Sequence, residues 1–379
     1  MVKLFEEYIS SLNLNGGVSL ICESKSKDSK NGTKEDGKCN IIFVTKNPKS
    51  LTFTEGEVHK IRESAKKYGV DFYACDVDKI TYKMNDDGTL TINKLGTFNN
   101  NNTLFIIRHA SLRTQPTEER EKTKANLRTF FDLIKSHNFY ISNDIDVVND
   151  CVNKYSTFKK LKDNNVATIE TVIIKKDEFL QKQLDNIDNM TKFLNEHDLH
   201  LPLGVKIIDG SQGIGVFKCD DMNILTSIIQ YLVRKERDNG CIIQPFCDID
   251  SDIRLHVFCK TLDPSTAKID DYEIVGCMKR EKADGDFRTN YSIGGKISSY
   301  KPSQTESRLA KVAAKAIGAV WCGVDVCHDK ITNKDYVIEI NASPSLKGIS
   351  TVSKELPSDL IVKHFKKKKL CKFILSRMC

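Results

Sequence analysis

The chain contains no uninterrupted run of about 18 apolar residues, the least that a helix needs to cross a bilayer. Its first residues, Met1-Val-Lys-Leu-Phe-Glu-Glu, also lack the basic, then apolar, then small-residue order of a secretory signal. These two absences predict a cytoplasmic protein. The 13 cysteines are scattered and include no C-x-x-C pair, which argues against a zinc site or a disulfide framework and for reduced, mostly buried thiols. Excess charge is missing from most of the chain. The net charge is +7, and Lys363, Lys366, Lys367, Lys368, Lys369, Lys372 and Arg377 account for all of it, with no acid after Asp359. A neutral body excludes a broad nucleic-acid-binding face but not a local basic groove for phosphates.

A length of 379 residues with 40% hydrophobic and 29% charged residues describes an ordinary globular protein too long for one small core. Residues 1–38 are turn-rich around Ser24–Gly37. Asn40–Thr45 reads as a buried strand, Thr54 with Glu57 as a capping box, and Val58, Ile61, Ala65 and Tyr68 as a helix face leading to a second strand over Val70–Cys75. With Leu104–Arg108 and a helix over Glu118–His137, this predicts a small α/β domain over residues 1–150. The asparagine run Asn99–Asn102 is a loop tip without chemistry.

From Asn153 a helix carrying Tyr155, Phe158 and Leu161 precedes a strand over Ala167–Ile174 and a polar stretch to His200. A strand over Leu201–Ile208 then enters Asp209-Gly210-Ser211-Gln212-Gly213-Ile214-Gly215. Glycines between two strands let the backbone approach a ligand and aim N–H groups at anionic oxygens, although a glycine-rich turn is the commoner explanation of such a loop. It is not a Walker A loop, having no Gly-Lys-Ser/Thr, nor a dinucleotide fingerprint, since a strand follows it. Asp221–Arg234 is an amphipathic helix and Cys241–Phe246 a strand. Asp252–Phe258 and Tyr272–Met278 alternate as antiparallel strands whose wet face carries Asp252, Arg254 and Arg280, flanking a polar insertion over Leu262–Asp271. Ser303 and Glu306 form a capping box for a helix carrying Leu309, Val312, Ala313, Ala316 and Ile317.

Tyr336–Leu346 is the stretch the others serve. Alternation along Tyr336–Ile340 puts Glu339 and Asn341 on one face with Val337, and Ile338 with Ile340 on the other. Val324-Asp325-Val326 is a partner strand across a turn at Asn333–Asp335, so Asp325 faces Glu339 and Asn341. Two carboxylates and an amide oxygen suit magnesium shared with phosphates; alternatively, both acids are solvated strand ends.

Taken in order, Lys206, the loop Gly210–Gly215, Gln244-Pro245-Phe246, Asp252-Ile-Arg254, Gly285-Asp-Phe-Arg288-Thr289-Asn290, Gly294-Gly295, Gly323-Val-Asp325 and Glu339-Ile-Asn341-Ala-Ser-Pro344 resemble the ATP-grasp superfamily. GDFRTN followed by GG and EINASPSLKGI resembles its RimK-type ligases. The likeness is specific from about Asn153 to Ser350. It implies an ATP-grasp fold in which two α+β subdomains, 151–246 with the glycine loop and 247–355 with the metal site, clasp ATP behind the α/β domain and ahead of a basic tail over 356–379.

The resemblance further implies that Lys154 and Lys206 contact the nucleotide phosphates, with Gly210, Ser211, Gly213 and Gly215 as a lid. Gln244, Pro245 and Phe246 hold adenine through the main chain; Pro245 lacks an N–H, which leaves Phe246 as donor. Asp252 lies near the ribose, and Arg288, Thr289 and Asn290 reach the phosphates. Asp325, Glu339 and Asn341 hold magnesium, with manganese as a substitute, and Arg254 and Arg280 stabilise the reacting groups. The implied activity is ATP-dependent joining of a carboxylate, activated as an acyl-phosphate, to an amino acid or other amine, the acceptor being a small molecule, a protein C-terminus or a side chain. A polyol kinase and a non-catalytic ATP-binding module are the rival readings. The tail, with Ile361, Phe365, Leu370 and Phe373 between its cations, reads either as a docking segment for an acidic partner or as a solvated extension. The insertion Leu262–Asp271 is expected to affect access to the acceptor.

Overall fold

A computed structural model describes residues 38–45, 56–76, 79–108, 117–210, 213–235, 240–283, 285–289 and 294–378. The N-terminal unit contains β1 (Asn40–Thr45), α1 (Glu57–Lys67), β2 (Asp71–Asp76), a three-stranded meander of β3 (Tyr82–Met84), β4 (Leu90–Ile92) and β5 (Gly96–Phe98), then β6 (Thr103–Arg108), α2 (Thr117–Ser136) and β7 (Tyr140–Ile141). Its main sheet is parallel in the order β2-β1-β6-β7. Ile41 and Phe43 pack with Val58, Ile61 and Ala65 of α1, while Ile42 and Val44 pack with Phe130 and Phe131 of α2. Both faces are covered, which is why β1 reads as one apolar run. The meander adds Leu90, Ile92 and Phe98 to the α2-side core, from strands too short for alternation to reveal. The Asn99–Asn102 turn is structural, since Asn100 donates to His137 O at 2.8 Å and Asn102 O accepts from Asn40 N at 2.7 Å.

Of the expected capping box, Thr54 lies outside the described residues; the helix starts at Glu57 behind Gly56, and the Glu57 carboxylate accepts from Leu346 N at 3.1 Å.

The second unit begins with α3 (Ile145–Val152) and α4 (Lys154–Asp163), whose caps Asp144 and Asn153 accept from Asp146 N at 3.2 Å and Ser156 N at 3.0 Å. β8 (Val172–Ile174) is shorter than expected because Ala167 and Thr168 turn away to pair with Val337 of the third unit. The polar stretch to His200 is helical, as α5 (Lys176–Gln181) and α6 (Ile187–Glu196), and Phe179, Met190, Phe193 and Leu194 supply its buried side. Then come β9 (Leu203–Ile207), β10 (Val216–Cys219), α7 (Met222–Lys235) and β11 (Cys241–Pro245). The antiparallel sheet β10-β9-β11-β8 packs one face on α5, α6 and α7. Register sets Lys206 between Val216 and Ile242, and Gly204 between Lys218 and Gln244, on the opposite face.

The third unit contains β12 (Ser251–Cys259), β13 (Tyr272–Glu281), β14 (Lys296–Ser299), α8 (Gln304–Ile317), β15 (Trp321–Asp329), β16 (Lys334–Asn341), α9 (Leu346–Val352) and α10 (Pro357–Met378), with its sheet in the order β14-β13-β12-β15-β16. The capping box of α8 is present: Ser303 Oγ accepts from Glu306 N at 3.1 Å and Ser303 N donates to the Glu306 carboxylate at 2.6 Å. Ala310, Ala313, Ala314 and Ile317 pack on Leu255, Val257, Val324 and Val326. On the other sheet face, Phe258 and Trp321 at one end join the α1-side core of the N-terminal unit, while the opposite end carries Asp252, Arg254, Arg280 and Asp325. Alternation along β12 and β15 therefore gives one strand face two functions. Asn143 stitches the units together: it donates to Trp321 O and Ala342 O, each at 2.6 Å, and accepts from Val320 N at 2.9 Å and Trp321 N at 3.2 Å.

Two expectations are corrected here. The insertion Leu262–Asp271 closes the β12–β13 hairpin at Cys259–Tyr272, seven residues along β12 from Asp252 and thus roughly 23 Å from the polar end at ~3.3 Å per residue, so it does not control access there. Residues beyond 356 are not a solvated tail from their start. α10 buries Ile361, Val362 and Phe365 against α1, and Phe365 meets the Tyr140 ring edge-on at 5.9 Å. The side chains of Leu370 and Phe373 lie outside the described residues.

Candidate active site

Between the open face of the second unit's sheet and the polar end of the third unit's sheet lies a cavity. Of the residues singled out in the sequence, Lys154, Lys206, Gly210, Gly213, Gln244, Pro245, Phe246, Asp252, Arg280, Arg288, Thr289, Asp325 and Glu339 line it. Arg254, Gly215 and Asn341 do not, and Ser211 and Asn290 lie outside the described residues.

The floor is a chain of alternating charge. Arg254 donates from Nε to Asp325 Oδ1 at 2.7 Å and from Nη2 to Oδ2 at 2.6 Å. Arg280 donates from Nε and Nη2 to the two oxygens of Asp252 at 2.5 and 2.8 Å, and from Nη2 to Asp325 Oδ2 at 2.8 Å. Thr289 donates to Asp252 Oδ2. Asp252, Arg280 and Asp325 are 1%, 4% and 1% exposed, so the expected wet face is a buried ion network. Burial pushes the Asp325 carboxyl up, but Arg254 and Arg280 outweigh it and hold it at about 2. Asp252 moves the other way, raised by burial and by the nearby Asp325 against the pull of Arg280. Its oxygens are committed to Arg280 and Thr289, which leaves the expected ribose contact little free acceptor.

Glu339 pairs with Asp325 in register, as the hairpin reading required. The face assignment of Val337 is corrected. A bulge pairs Val326 with Val337 and leaves Ile338 as the extra residue, so Val337 joins Ile340 in the α8 core while Ile338 and Glu339 both line the cavity. Gly323 lacks a side chain because a Cβ there would stand 2.8 Å from Pro344 Cβ, where the segment after β16 crosses β15.

Across the cavity the wall is cationic. Burial, then the neighbouring Lys154 ammonium, lower the Lys206 pKa. Lys154 donates to Gly210 O, fixing the start of the glycine loop. The glycines are needed for a different neighbour than a ligand. A Cβ on Gly210 would stand 2.6 Å from Ile207 Cγ1 and 2.9 Å from Ile214 O; one on Gly215, at φ +73°, would stand 2.6 Å from Ile207 Cδ1. The loop folds tightly over the Ile207 side chain. Arg288 spans the cleft, donating to Gly213 O at 2.9 Å while Asp286 holds its guanidinium with bonds of 3.0 and 2.8 Å.

Sequence reasoning missed Phe287 and two cysteines on the wall, and Thr171 behind Gln244. Thr171 accepts from Gln244 Nε2 at 2.7 Å, and Phe287 meets Phe246 with ring centroids 5.8 Å apart. Cys247 and Cys327 also line the cavity. Phe287, inside GDFRTN, was legible as an aromatic between charged residues; the cysteines look like any other scattered thiol.

The donor set fits a magnesium nucleotide. Two adjacent ammonium groups, Lys154 and Lys206, line one wall and suit phosphates. Asp325 spends three acceptor positions on arginine N–H groups and keeps remaining lone-pair capacity, and among the described residues no arginine bonds Glu339. Among the described residues no three acidic, histidine or cysteine side chains converge, so a hard cation here takes part of its oxygen shell from phosphate or water.

A family model described as the RimK-like ATP-grasp domain matches residues 151–363. The probable alpha-L-glutamate ligase of Marinomonas sp. (strain MWYL1) is 29% identical over 168 residues, 44% of this chain and 50% of that protein. That of Legionella pneumophila (strain Corby) is 32% identical over 169 residues, 44% of this chain and 51% of its own. The chain thus spans about half the length of the curated relatives it matches. Among solved structures, ATP-grasp ligase PsnB complexed with minimal precursor aligns with a TM-score of 0.61 at 14% identity, covering 86% of this chain and 97% of that chain. D-cycloserine synthetase DcsG aligns at 0.57 and 14%, covering 87% and 99%. The fold is ATP-grasp. With a family match over more than half of its length, the chain belongs to the RimK-like ATP-grasp family.

Proposed function

We propose that the protein is an ATP-dependent carboxylate-amine ligase. The observation that carries this reading is the opposition, across one cavity, of a cationic wall (Lys154, Lys206, Arg288) and a carboxylate pair (Asp325, Glu339), with Arg280 bonded to Asp325. Lys154 and Lys206 take the phosphates, Gln244 to Phe246 take the base, and Asp325, Glu339 and Asn341 hold magnesium. The ion, when bound, supplies charge neutralisation at the phosphates. The acceptor carboxylate attacks the γ-phosphate and expels ADP, and an amine then displaces phosphate from the acyl-phosphate and gives up a proton to leave the amide.

Arg280, fixed by two carboxylates, presents preorganised positive charge where negative charge develops. Arg254, outside the nucleotide cavity and 13% exposed in its side chain, aims its remaining N–H donors at the acceptor. Arg288 ties the glycine loop down and excludes water from the acyl-phosphate. The names of the relatives support an amino acid such as glutamate as the amine, and a peptide or protein carboxylate is the acceptor class that the structural neighbours support. No helix among the described residues is long and apolar enough to cross a membrane, and the ten described cysteines are unbridged, which supports a reducing compartment such as the cytoplasm.

Incubation with magnesium, ATP, single amino acids and a panel of carboxylates, followed by mass analysis, tests the reading. ADP, phosphate and a dehydrated conjugate are expected; a phosphorylated acceptor and no conjugate would contradict it.

A further inference from the structure

Two thiols, Cys247 and Cys327, lie on the cavity wall. Cys247 follows Pro245 and Phe246 in the β11–β12 connection, and Cys327 is on β15 two residues beyond Asp325. The connection is pinned to the end of β15, since Asp248 N donates to Asp329 Oδ1 at 3.1 Å and Lys330 N donates to Asp248 O at 3.1 Å. That brings the two thiols next to each other on the cavity wall. Their environments differ. Cys247 is half-buried and reachable through the cavity, whereas Cys327 is 1% exposed within the sheet. A thiol reachable through the cavity beside a second, buried thiol that can resolve it is an arrangement that oxidises reversibly.

We propose that Cys247 and Cys327 are a redox-modification site that forms a reversible disulfide between the β11–β12 connection and β15 and thereby weakens nucleotide binding. Hydrogen peroxide serves as oxidant. The Cys247 thiolate attacks one peroxide oxygen, the O–O bond breaks, and the leaving hydroxide takes a proton to become water, giving a sulfenic acid. The Cys327 sulfur then attacks the Cys247 sulfur, the S–O bond breaks, and the departing hydroxide takes the Cys327 proton as a second water. Two thiols are oxidised by two electrons and peroxide is reduced to two waters. The bond draws the sulfurs to about 2.05 Å, closer than any thiol hydrogen bond allows, and ties the segment after Phe246 to the strand bearing Asp325. A small-molecule thiol reverses it by exchange.

The loss of affinity rests on the nucleotide reading of the cavity; the chemistry of the thiols does not. The test treats the full chain with hydrogen peroxide, maps crosslinked peptides by mass spectrometry, and titrates magnesium-ATP by calorimetry before and after, and again after dithiothreitol. A peptide pair joining Cys247 to Cys327 is expected, with affinity weakened by at least about tenfold, or ~1.4 kcal/mol, and restored by the reductant. Bound ATP should slow the crosslinking. In Cys247→Ser and, separately, Cys327→Ser, the oxidised and reduced forms of each variant should bind ATP alike, and the half-buried Cys247 position keeps the test open if the buried one fails to fold. No crosslink in the wild type, or a crosslink without loss of affinity, would overturn the proposal. Reduced protein that binds no nucleotide would instead refute the reading of the cavity, leaving the crosslink as its separate result.

Discussion

Arg254 and Asp325 face each other on adjacent strands and meet in a two-point pair at 2.7 and 2.6 Å, almost wholly removed from water. Removing one partner of such a pair leaves a buried charge uncompensated, and here Arg280 loses a partner too. Asp325→Asn should therefore cost about 3–5 kcal/mol near neutral pH. Because the Asp325 carboxyl is depressed to about 2, its contribution is fully present above the ordinary carboxylate pKa of about 3.9 and is lost as pH falls through about 2. Asp252, shifted upward, takes its proton first on acidification. Denaturant titrations from pH 7 to pH 2 should show wild type and variant converging only below about pH 4; a constant gap would contradict the assignment.

Glu339 lines the cavity, paired in register with Asp325, and among the described residues no arginine bonds it, so its charge is available to a cation. Glu339→Gln should leave the melting temperature without ligand nearly unchanged, weaken the apparent magnesium affinity of nucleotide binding by at least about tenfold, and abolish turnover. Calorimetry of ATP binding across a magnesium series checks this. A wild-type magnesium response would remove Glu339 from the metal set.

The glycine loop allows strain to be separated from crowding. Gly215 and Gly88 both have positive φ, +73° and +77°, but only at Gly215 would a Cβ meet Ile207, whereas Gly88 has nothing within 4 Å. Gly88→Ala should cost only the strain, about 1 kcal/mol, with unchanged ATP affinity. Gly215→Ala should cost about 1–3 kcal/mol more and weaken ATP binding by displacing the loop from Lys154 and Arg288. Equal effects at the two positions would show that Ile207 does not set the loop.

The buried half of α10 gives a stability prediction. Ending the chain after Asp359 removes Ile361, Val362 and Phe365 from the core and should cost at least about 5 kcal/mol. Ending it after Lys368 retains all three and should cost less than about 1 kcal/mol. Equal melting temperatures for the two truncations would contradict the packing of the helix.

Much of this site was legible because its residues fall in short, ordered motifs at strand and loop positions. Asp325 and Glu339 could be paired from alternation alone, and the cavity gathers the residues from Gln244 to Phe246 with Lys206 as the motif order implied. What could not be read was long-range. Alternation failed at Val337 because the bulge at Ile338 is one extra residue that no local pattern announces. Arg254 and Arg280 looked solvated because a strand with polar residues on one face reads the same whether water or an ion network covers it. The helices α5 and α6 were hidden by their polar outer faces, their buried side resting on Phe179, Met190, Phe193 and Leu194. α10 was hidden because its cations obscured Ile361, Val362 and Phe365, whose partners are some 290 residues away on α1, as in the Lys67–Asp359 pair.

Trapping the activated carboxylate tests the central claim most directly. With ATP, magnesium and a competent acceptor but no amine substrate, hydroxylamine should intercept an acyl-phosphate and yield a hydroxamate together with ADP and free phosphate in equal amounts. Arg280→Ala should depress that yield far more than it weakens ATP binding, because its charge acts on the transition state. If label from the γ-phosphate is instead retained on a hydroxyl of the acceptor, with no hydroxamate and no free phosphate, the protein is a kinase and the ligase account is wrong.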